Sequence, residues 1–250
     1  MQPEKVFPGR PFSPTLEQVV EGVWLLRGDF GRGMNIYFLE EDGGVVQFDA
    51  GTSPMTRAVR EVALRLGGLN RIVLGHAHTD HRGTAPALEA PVYCHPDEVS
   101  YAERDEWPDY WDMSKLPVAW VRWIYPRLHR RWDAGGVSIT GTVSEGDEVC
   151  GFRVYDFPGH APGMIGLFRE SDRLAIVSDT VYLIDSTRLK RLPQGEASVP
   201  HPVWNWDHER AKQSVLKLAE LDPDTICAGH AGPLEGAGIR SALEKAAARY

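Results

Sequence analysis

Cysteine is scarce in this chain. Only Cys94, Cys150 and Cys227 occur among 250 residues. A scattered, odd set does not make a disulfide framework and suits a reducing cytoplasm. Each reads as a small buried residue rather than a nucleophile. Long apolar runs are also missing. None approaches the roughly 20 residues that cross a bilayer, and Met1-Gln2-Pro3-Glu4-Lys5 has no apolar core of the signal-peptide kind. A cytoplasmic protein with no membrane partner is expected. Positive charge is in deficit. The formal net charge of −8 argues against a nucleic-acid backbone as the main partner. The local cluster Arg127, Arg130 and Arg131 reads first as a solvated face, with anion binding as the alternative. No linker-like stretch and no obvious internal repeat divides the chain. With 42% hydrophobic and 25% charged residues, ordinary for a soluble globular protein, one domain over residues 1–250 is expected.

Histidine, by contrast, is concentrated in one place. The stretch Arg71-Ile72-Val73-Leu74-Gly75-His76-Ala77-His78-Thr79-Asp80-His81-Arg82-Gly83 starts as an apolar, partly β-branched run that suits a strand buried on both faces. It then turns polar, where α/β proteins tend to keep their sites. Imidazole nitrogens and a carboxylate oxygen are ligands that a borderline cation such as zinc accepts. In an extended chain His76 and His78 point to one side. A turn after them aims Asp80 and His81 at a second position, and two adjacent ligand sets imply two metals. The competing reading is a polar turn rich in histidine, and the density of the cluster speaks against it.

Along the rest of the chain, strand and helix patterns alternate. Short strands are expected around Val20, Val23 and Leu25 and over Met34 to Leu39. Gly44 to Asp49 follows the hairpin turn Asp42-Gly43-Gly44. A helix over about Met55 to Leu66 puts Val59, Val62, Ala63 and Leu66 on one face, and Gly67-Gly68 ends it. Pro91 to His95 reads as a strand and Asp97 to Arg104 as a helix, with His95 structural. Residues 105–133 break the pattern. Trp107, Tyr110, Trp111, Trp120, Trp123, Tyr125 and Trp132 crowd there with Pro108, Pro117 and Pro126. An insertion of short helices is expected, with His129 at the surface. Such aromatics line an apolar pocket, form a subunit interface or simply cap the core.

Strands return over Val137 to Thr142, Glu148 to Phe157, Met164 to Phe168 and Arg173 to Ser178. Residues 185–207 read as loop. A helix over Asp207 to Leu221, capped by Asp207, carries Val215, Leu218 and Leu221 on one stripe. The strand Thr225 to Ala228 and a helix over about Gly238 to Ala248 close the chain. Three more polar residues follow strands: His160 in Pro158-Gly159-His160-Ala161-Pro162-Gly163, Asp179 after Ser178, and His230 after Gly229. Asp49, which ends the Gly44 to Asp49 run, reads as a turn or helix-capping residue.

The pattern His76-x-His78-x-Asp80-His81 resembles the signature of the metallo-β-lactamase-fold superfamily, and His160, Asp179 and His230 fit its later motifs. The resemblance runs from about residue 18 and explains the aromatic insertion least. It implies an α/β (α+β) fold, the four-layer αβ/βα sandwich, with two mixed sheets between helical layers and the metal site at one edge. It also implies a ligand set. His76, His78 and His160 would hold one metal, Asp80, His81 and His230 a second, and Asp179 would bridge them. For Asp49 the resemblance implies a second reading, a brace for the metal-site loops. Two zinc ions are expected, with iron or manganese able to use similar sites. The chemistry implied is that of a hydrolase in which a metal-bridging hydroxide attacks an ester-like carbonyl, with Asp80 relaying a proton.

Substrate is harder to read. β-Lactamases of this fold generally lack a bridging aspartate at the position of Asp179, whereas glyoxalase II-type thioesterases and lactonases keep one. The spacing Asp179-x-x-Tyr182 is similar to that of acyl-homoserine lactonases, where the phenol meets the substrate carbonyl. A core tyrosine is the other reading of Tyr182. A lactone is therefore expected, carried by a small molecule with an apolar part. Glyoxalase II-type thioester hydrolysis is the nearest alternative. Beyond it stand β-lactamase or phosphodiesterase activity, a mononuclear iron persulfide dioxygenase, and a non-catalytic metal-binding protein. A homodimer through residues 105–133 is a further expectation.

Overall fold

The computed structural model describes residues 2–29, 33–104, 108–188 and 190–249. Trp107, counted above with the aromatic insertion, lies outside the described residues.

The first half builds one sheet. Its strands are β1 (Glu4–Lys5), β2 (Thr15–Val20), β3 (Val23–Gly28), β4 (Met34–Glu41), β5 (Gly44–Phe48), β6 (Leu69–Val73), β7 (Val92–Cys94) and β8 (Gly141–Thr142), hydrogen-bonded in that order. The early strands pair antiparallel, β4 and β5 meeting across the Asp42-Gly43 turn. From β5 onward the pairing is parallel. The helix α1 (Thr56–Arg65) crosses from β5 to β6 and buries Ala58, Val59, Val62 and Ala63.

The second half builds the other sheet. Its strands are β9 (Glu148–Val149), β10 (Phe152–Asp156), β11 (Ile165–Arg169), β12 (Leu174–Ser178), β15 (Thr225–Ala228) and β16 (Leu234–Glu235). The strand order is β16-β15-β12-β11-β10-β9. A small separate hairpin, β13 (Ile184–Asp185) with β14 (Lys190–Arg191), lies between β12 and β15 in the sequence. The one parallel pair, β12 with β15, is bridged by α5 (His208–Glu220), as β5 and β6 are by α1. Asp207 caps α5 by accepting the Arg210 N–H at 3.1 Å. The helix α6 (Ile239–Ala248) closes the layer.

Period-two alternation sorts the side chains into layers. Val23, Leu25, Tyr37, Leu39 and Val73 face inward and meet Phe152, Val154, Ile165, Leu167 and Ile176 of the opposite sheet. Their neighbours Leu26, Ile36, Phe38, Ile72 and Leu74 turn outward onto α1. Ala175, Val177 and Ile226 turn outward onto Val215 and Leu218 of α5 and Leu243 of α6. Helix, sheet, sheet, helix is the observed order, the four-layer sandwich the resemblance implied.

The short helix α2 (Thr79–Arg82) lies within the histidine stretch and carries Asp80 and His81, and α3 (Val99–Glu103) follows β7. The insertion departs from expectation. It contains α4 (Ala119–Trp132), a 14-residue helix with Pro126 inside it, where prolines were expected to break the chain into short pieces. A proline removes only one helical donor, and packing of Val121 in a satellite core with Trp111, Leu116, Tyr182 and Trp204 holds the helix in place. His129, expected at the surface, is buried against Trp111 with ring centroids 5.9 Å apart, because it sits on the same inward stripe as Val121, Tyr125 and Trp132. The expected strand over Glu148 to Phe157 is a tight hairpin instead, turning at Cys150-Gly151 with φ of +51° and +77°. Of Val137 to Thr142, only Gly141–Thr142 pairs as a strand, since its neighbour β7 is just three residues long.

Candidate metal centre

Every motif residue leaves a strand at the same edge of the sandwich. The 74–82 segment follows β6, His160 follows β10, Asp179 follows β12 and His230 follows β15. Cross-links between loops hold this edge together. The Ile165 N–H donates to the Gly75 carbonyl at 2.9 Å, and the Gly229 N–H donates to that of Ser178 at 2.7 Å. Gly229 has no room for a side chain, since a Cβ there would lie 2.4 Å from Asp179 Oδ1 and 2.6 Å from His81 Cε1.

Four imidazoles are fixed by their outer nitrogens. His76 Nδ1 lies 3.1 Å from Ser178 Oγ, and His81 Nδ1 lies 2.8 Å from Asp49 Oδ2. His160 Nδ1 is 3.1 Å from Asn205 Oδ1, and His78 Nε2 is 2.6 Å from the Tyr110 hydroxyl. An oxygen partner on one ring nitrogen orients the ring and turns the other nitrogen toward the site. Those inner nitrogens are Nε2 of His76, His81 and His160, and Nδ1 of His78.

These atoms converge. His78 Nδ1 and His160 Nε2 are 3.0 Å apart, and ligand atoms of His76, His78 and His160 all fall within 4.8 Å of one another. Asp80, His81 and His230 form a second group within the same 4.8 Å limit. Asp179 stands between the groups. Its Oδ2 is 3.5 Å from His160 Nε2, 3.3 Å from His81 Nε2 and 3.4 Å from His230 Nε2. Asp80 Oδ2 is 3.5 Å from His230 Nε2. A third grouping, Asp49 with His76 and His81, is equally tight. It lies on the outer side of the rings, where Asp49 accepts from Gly75 N–H at 2.7 Å and from Ser178 Oγ at 2.7 Å. Of the two readings of Asp49, the brace is the one observed.

Burial charges the site unevenly. Desolvation, reinforced by His81, pushes His76 well below the ordinary imidazole range. His78 is lowered by desolvation and by His160, and His160 chiefly by desolvation. Desolvation acts the same way on His81, but the carboxylates of Asp179, Asp49 and Asp80 outweigh it and raise that ring. For His230 desolvation is outweighed by Asp179 and Asp80, raising it to about 9. Burial disfavours ionisation of Asp80 and Asp179, yet His81 and His230 hold both carboxyls low. His76 Nε2, His81 Nε2 and Asp179 Oδ1 are buried without a hydrogen-bond partner. Buried polar atoms are rarely left so. Convergent nitrogens, ionised carboxylates and orphaned atoms together make a donor set that fits and is able to bind metal ions.

Several supporting residues carry no motif. Glu98 is 1% exposed and accepts the Ala77 N–H at 2.8 Å and the Gly163 N–H at 2.9 Å, tying the first histidine loop to the His160 loop. Arg82, fully buried, donates to the carbonyls of Tyr101, Ala102 and Arg104 and pairs with Asp133, so both ends of the insertion are anchored beside His81. Asn205 and Tyr110 orient two rings. A buried glutamate is unusual for its type, but nothing in its neighbours in sequence marks Glu98 as different. His95 lies outside the cluster, where it caps a turn by accepting the Asp97 N–H at 3.2 Å and faces Asp156 Oδ2 at 3.7 Å. Burial pushes the thiols of Cys94, Cys150 and Cys227 up to about 12.

A cavity of about 310 Å³ opens onto the cluster at His78, Asp80, His160, Asp179 and His230. The inward stripe of α4, including Val121, Ile124, Tyr125, Leu128 and Trp132, forms one wall. Trp111, Trp204 and Ile184 add further apolar lining, and the Trp111 indole N–H donates to the Trp204 carbonyl at 3.0 Å. Tyr182 also lines the cavity, its ring centroid 5.6 Å from that of His230 and 5.9 Å from that of His160. Tyr182 packs with the satellite core and lines the cavity.

Comparison with known proteins points the same way. The metallo-beta-lactamase superfamily profile matches residues 30–230. A probable metallo-hydrolase of Bacillus subtilis strain 168, YflN, is 30% identical over 232 residues, spanning 86% of this chain and 87% of that one. A second from the same organism, YqjP, is 24% identical over 242 residues, spanning 86% and 72%. In fold, the chain is similar to a metallo-β-lactamase crystal structure from Erythrobacter litoralis with β-mercaptoethanol in the active site. The TM-score is 0.65, with 18% identity and 95% and 97% coverage. A metallo-β-lactamase family protein from Thermus thermophilus gives a TM-score of 0.63, with 23% identity and 92% and 80% coverage.

Proposed function

Because the chain belongs to the metallo-β-lactamase superfamily, and is a metallo-hydrolase with a His/Asp cluster able to hold metal, we propose that it hydrolyses a lactone at a dinuclear zinc centre. The observation that carries this reading is the position of Asp179, whose Oδ2 lies within 3.5 Å of nitrogens from both histidine groups. One carboxylate serving two ligand sets suits a bridging role. His76 and His160 would ligate through Nε2 and His78 through Nδ1. Asp80, with His81 and His230 through Nε2, would form the second set.

Two bound cations would acidify the water between them and polarise the scissile carbonyl. The chain supplies the rest. Asp80 is held ionised by His81 and His230 and borders the cavity, so it accepts a proton at its carboxylate and returns it to the leaving oxygen. Burial, with Asp179 and Asp80 adding to it, raises the Tyr182 phenol well above its usual range. It stays protonated and donates to the oxyanion that develops from the carbonyl. The aromatic walls exclude water and hold the apolar part of the substrate.

The test is a panel run on protein of known metal content: acyl-homoserine and simple δ-lactones, lactoylglutathione, a chromogenic β-lactam and a phosphodiester. Lactones should show the highest kcat/KM, with activity lost on chelation and restored by zinc. Turnover confined to the thioester would replace the lactone reading by the thioesterase one.

A further inference from the structure

The outward face of α4 takes no part in the site. Trp120 and Trp123 are 54% and 65% exposed. Arg127, Arg130 and Arg131 are exposed beside them, and Arg122 is exposed on the flank of the helix. Among the described residues none of these arginines makes an ion pair. Their side-chain hydrogen bonds go to backbone carbonyls of their own segment instead, from Arg122 to Leu116, Arg127 to Trp123 and Arg130 to Pro126. The Arg127 guanidinium stacks 3.8 Å from the Trp123 ring centroid. From Met113 to Trp132 there is no aspartate or glutamate, in a chain whose formal net charge is −8. The same chemistry recurs at the C-terminal end of α4. There the Ser53 hydroxyl donates to the Arg131 carbonyl at 2.9 Å. Next to Ser53, Pro54 borders a shallow hollow with Arg10, Arg57 and Phe12, the last 94% exposed.

We propose that this tryptophan–arginine face of α4 docks on an anionic lipid surface, lying in the plane of the headgroups. Indole rings settle at the boundary between headgroups and acyl chains, and arginines pair with lipid phosphates. The cavity lies directly behind this helix, so an apolar substrate dissolved in the membrane would reach it over a short path. The sequence-based expectation of no membrane partner rested on spanning and leader segments, and an interfacial helix needs neither. A homodimer through the same face is opposed by its charge, because a two-fold axis would set like arginines against each other. A duplex backbone offers the arginines phosphates but leaves Trp120 and Trp123 in water, whereas a bilayer buries their indoles at the headgroup boundary.

Co-sedimentation of the metal-loaded full-length protein with phosphatidylcholine vesicles, with and without phosphatidylglycerol, tests the proposal. Binding should require phosphatidylglycerol and fall as salt rises. Arg127→Gln and Arg130→Gln should each weaken partitioning about fivefold. Trp120→Ala with Trp123→Ala should abolish it, while melting temperature and turnover of a water-soluble lactone stay at wild-type values. In the unmodified protein, brominated lipid should quench part of the tryptophan emission. Equal partitioning onto both vesicle types, variants that bind as wild type, a dimer that protects Trp123 from quenching, or preferential binding to duplex RNA would each overturn it.

Discussion

The Ser178 hydroxyl donates to Asp49 Oδ2 over 2.7 Å, joining the end of β12 to the end of β5. The same Oδ2 faces His81 Nδ1, and Ser178 Oγ faces His76 Nδ1. One carboxylate and one hydroxyl thus orient a ring from each proposed metal set and tie the two sheets together at the site. Both are fully buried.

Replacing Asp49 with alanine therefore removes the acceptor for Gly75 N–H, Ser178 Oγ and His81 together. Metal affinity should fall about 10–100-fold, the usual cost of losing a partner behind a ligand. The metal-free protein should lose about 1–3 kcal/mol for each buried donor left unpaired. Chelator competition and chemical denaturation measure the two effects separately. Wild-type affinity in Asp49→Ala would mean that His81 needs no brace.

Tyr110→Phe probes a hydrogen bond that runs from the insertion to the cluster. Without the hydroxyl, His78 Nε2 loses its partner at 2.6 Å and the ring is free to turn. The proposed first set, His76, His78 and His160, should weaken about 10–100-fold toward metal, with global stability lowered by only about 1 kcal/mol. A zinc-binding titration that returns wild-type constants would reduce Tyr110 to a packing residue.

How far sequence reaches is clear from such pairs. His76, His78, Asp80 and His81 are legible because one strand end and one turn carry them all, so their spacing is local. His160, Asp179 and His230 each look like an ordinary loop residue, and only the family pattern joins them. Tyr110, Asn205 and Glu98 are out of reach. Each makes its contact across 32 or more positions, or to backbone groups that any residue owns, so no spacing betrays them: Tyr110 bonds His78 at a separation of 32, Asn205 bonds His160 at 45, and Glu98 bonds Gly163 at 65. The layered fold was legible only through the family resemblance, because strands such as β4 and β12 are buried on both faces and carry no polar alternation. The helix α4 was hidden by Pro126, because tertiary packing, which local propensity does not contain, offsets the lost hydrogen bond.

Glu98 gives a pH signature. Burial outweighs its two backbone donors and lifts the carboxyl from 4.5 to about 7. A raised carboxyl stabilises the fold below its unfolded value, and that contribution fades as pH rises through the folded value. Between pH 4.5 and 7 it amounts to about 3 kcal/mol at ~1.4 kcal/mol per unit. Glu98→Gln cannot ionise, so its stability relative to wild type should rise by that order across the window. Denaturation of metal-free samples at several pH values reads this directly, and parallel curves would show that Glu98 ionises freely in the fold.

Tyr182→Phe keeps the ring in the satellite core and removes only the phenol. If that hydroxyl donates to the developing oxyanion, kcat should fall about 100-fold with metal content intact. KM should change little, since the bond is made in the transition state. A loss confined to KM would assign Tyr182 to substrate binding alone.

The two proposed metal sets should load in order, with different proton costs. Burial keeps His76, His78 and His160 below the ordinary imidazole range, so at pH 7 these rings are already neutral and lose nothing on binding. His81 is raised by its surrounding carboxylates and His230 stands at about 9. Each must release a proton before it can ligate. The first equivalent of zinc should therefore bind at pH 7 with almost no proton release. The second should bind more weakly, release protons, and strengthen as pH rises from 7 toward 9. Calorimetry in two buffers of different ionisation enthalpy counts the protons at each step. Equal release in both steps, or a second affinity flat with pH, would contradict the charge distribution read from the site.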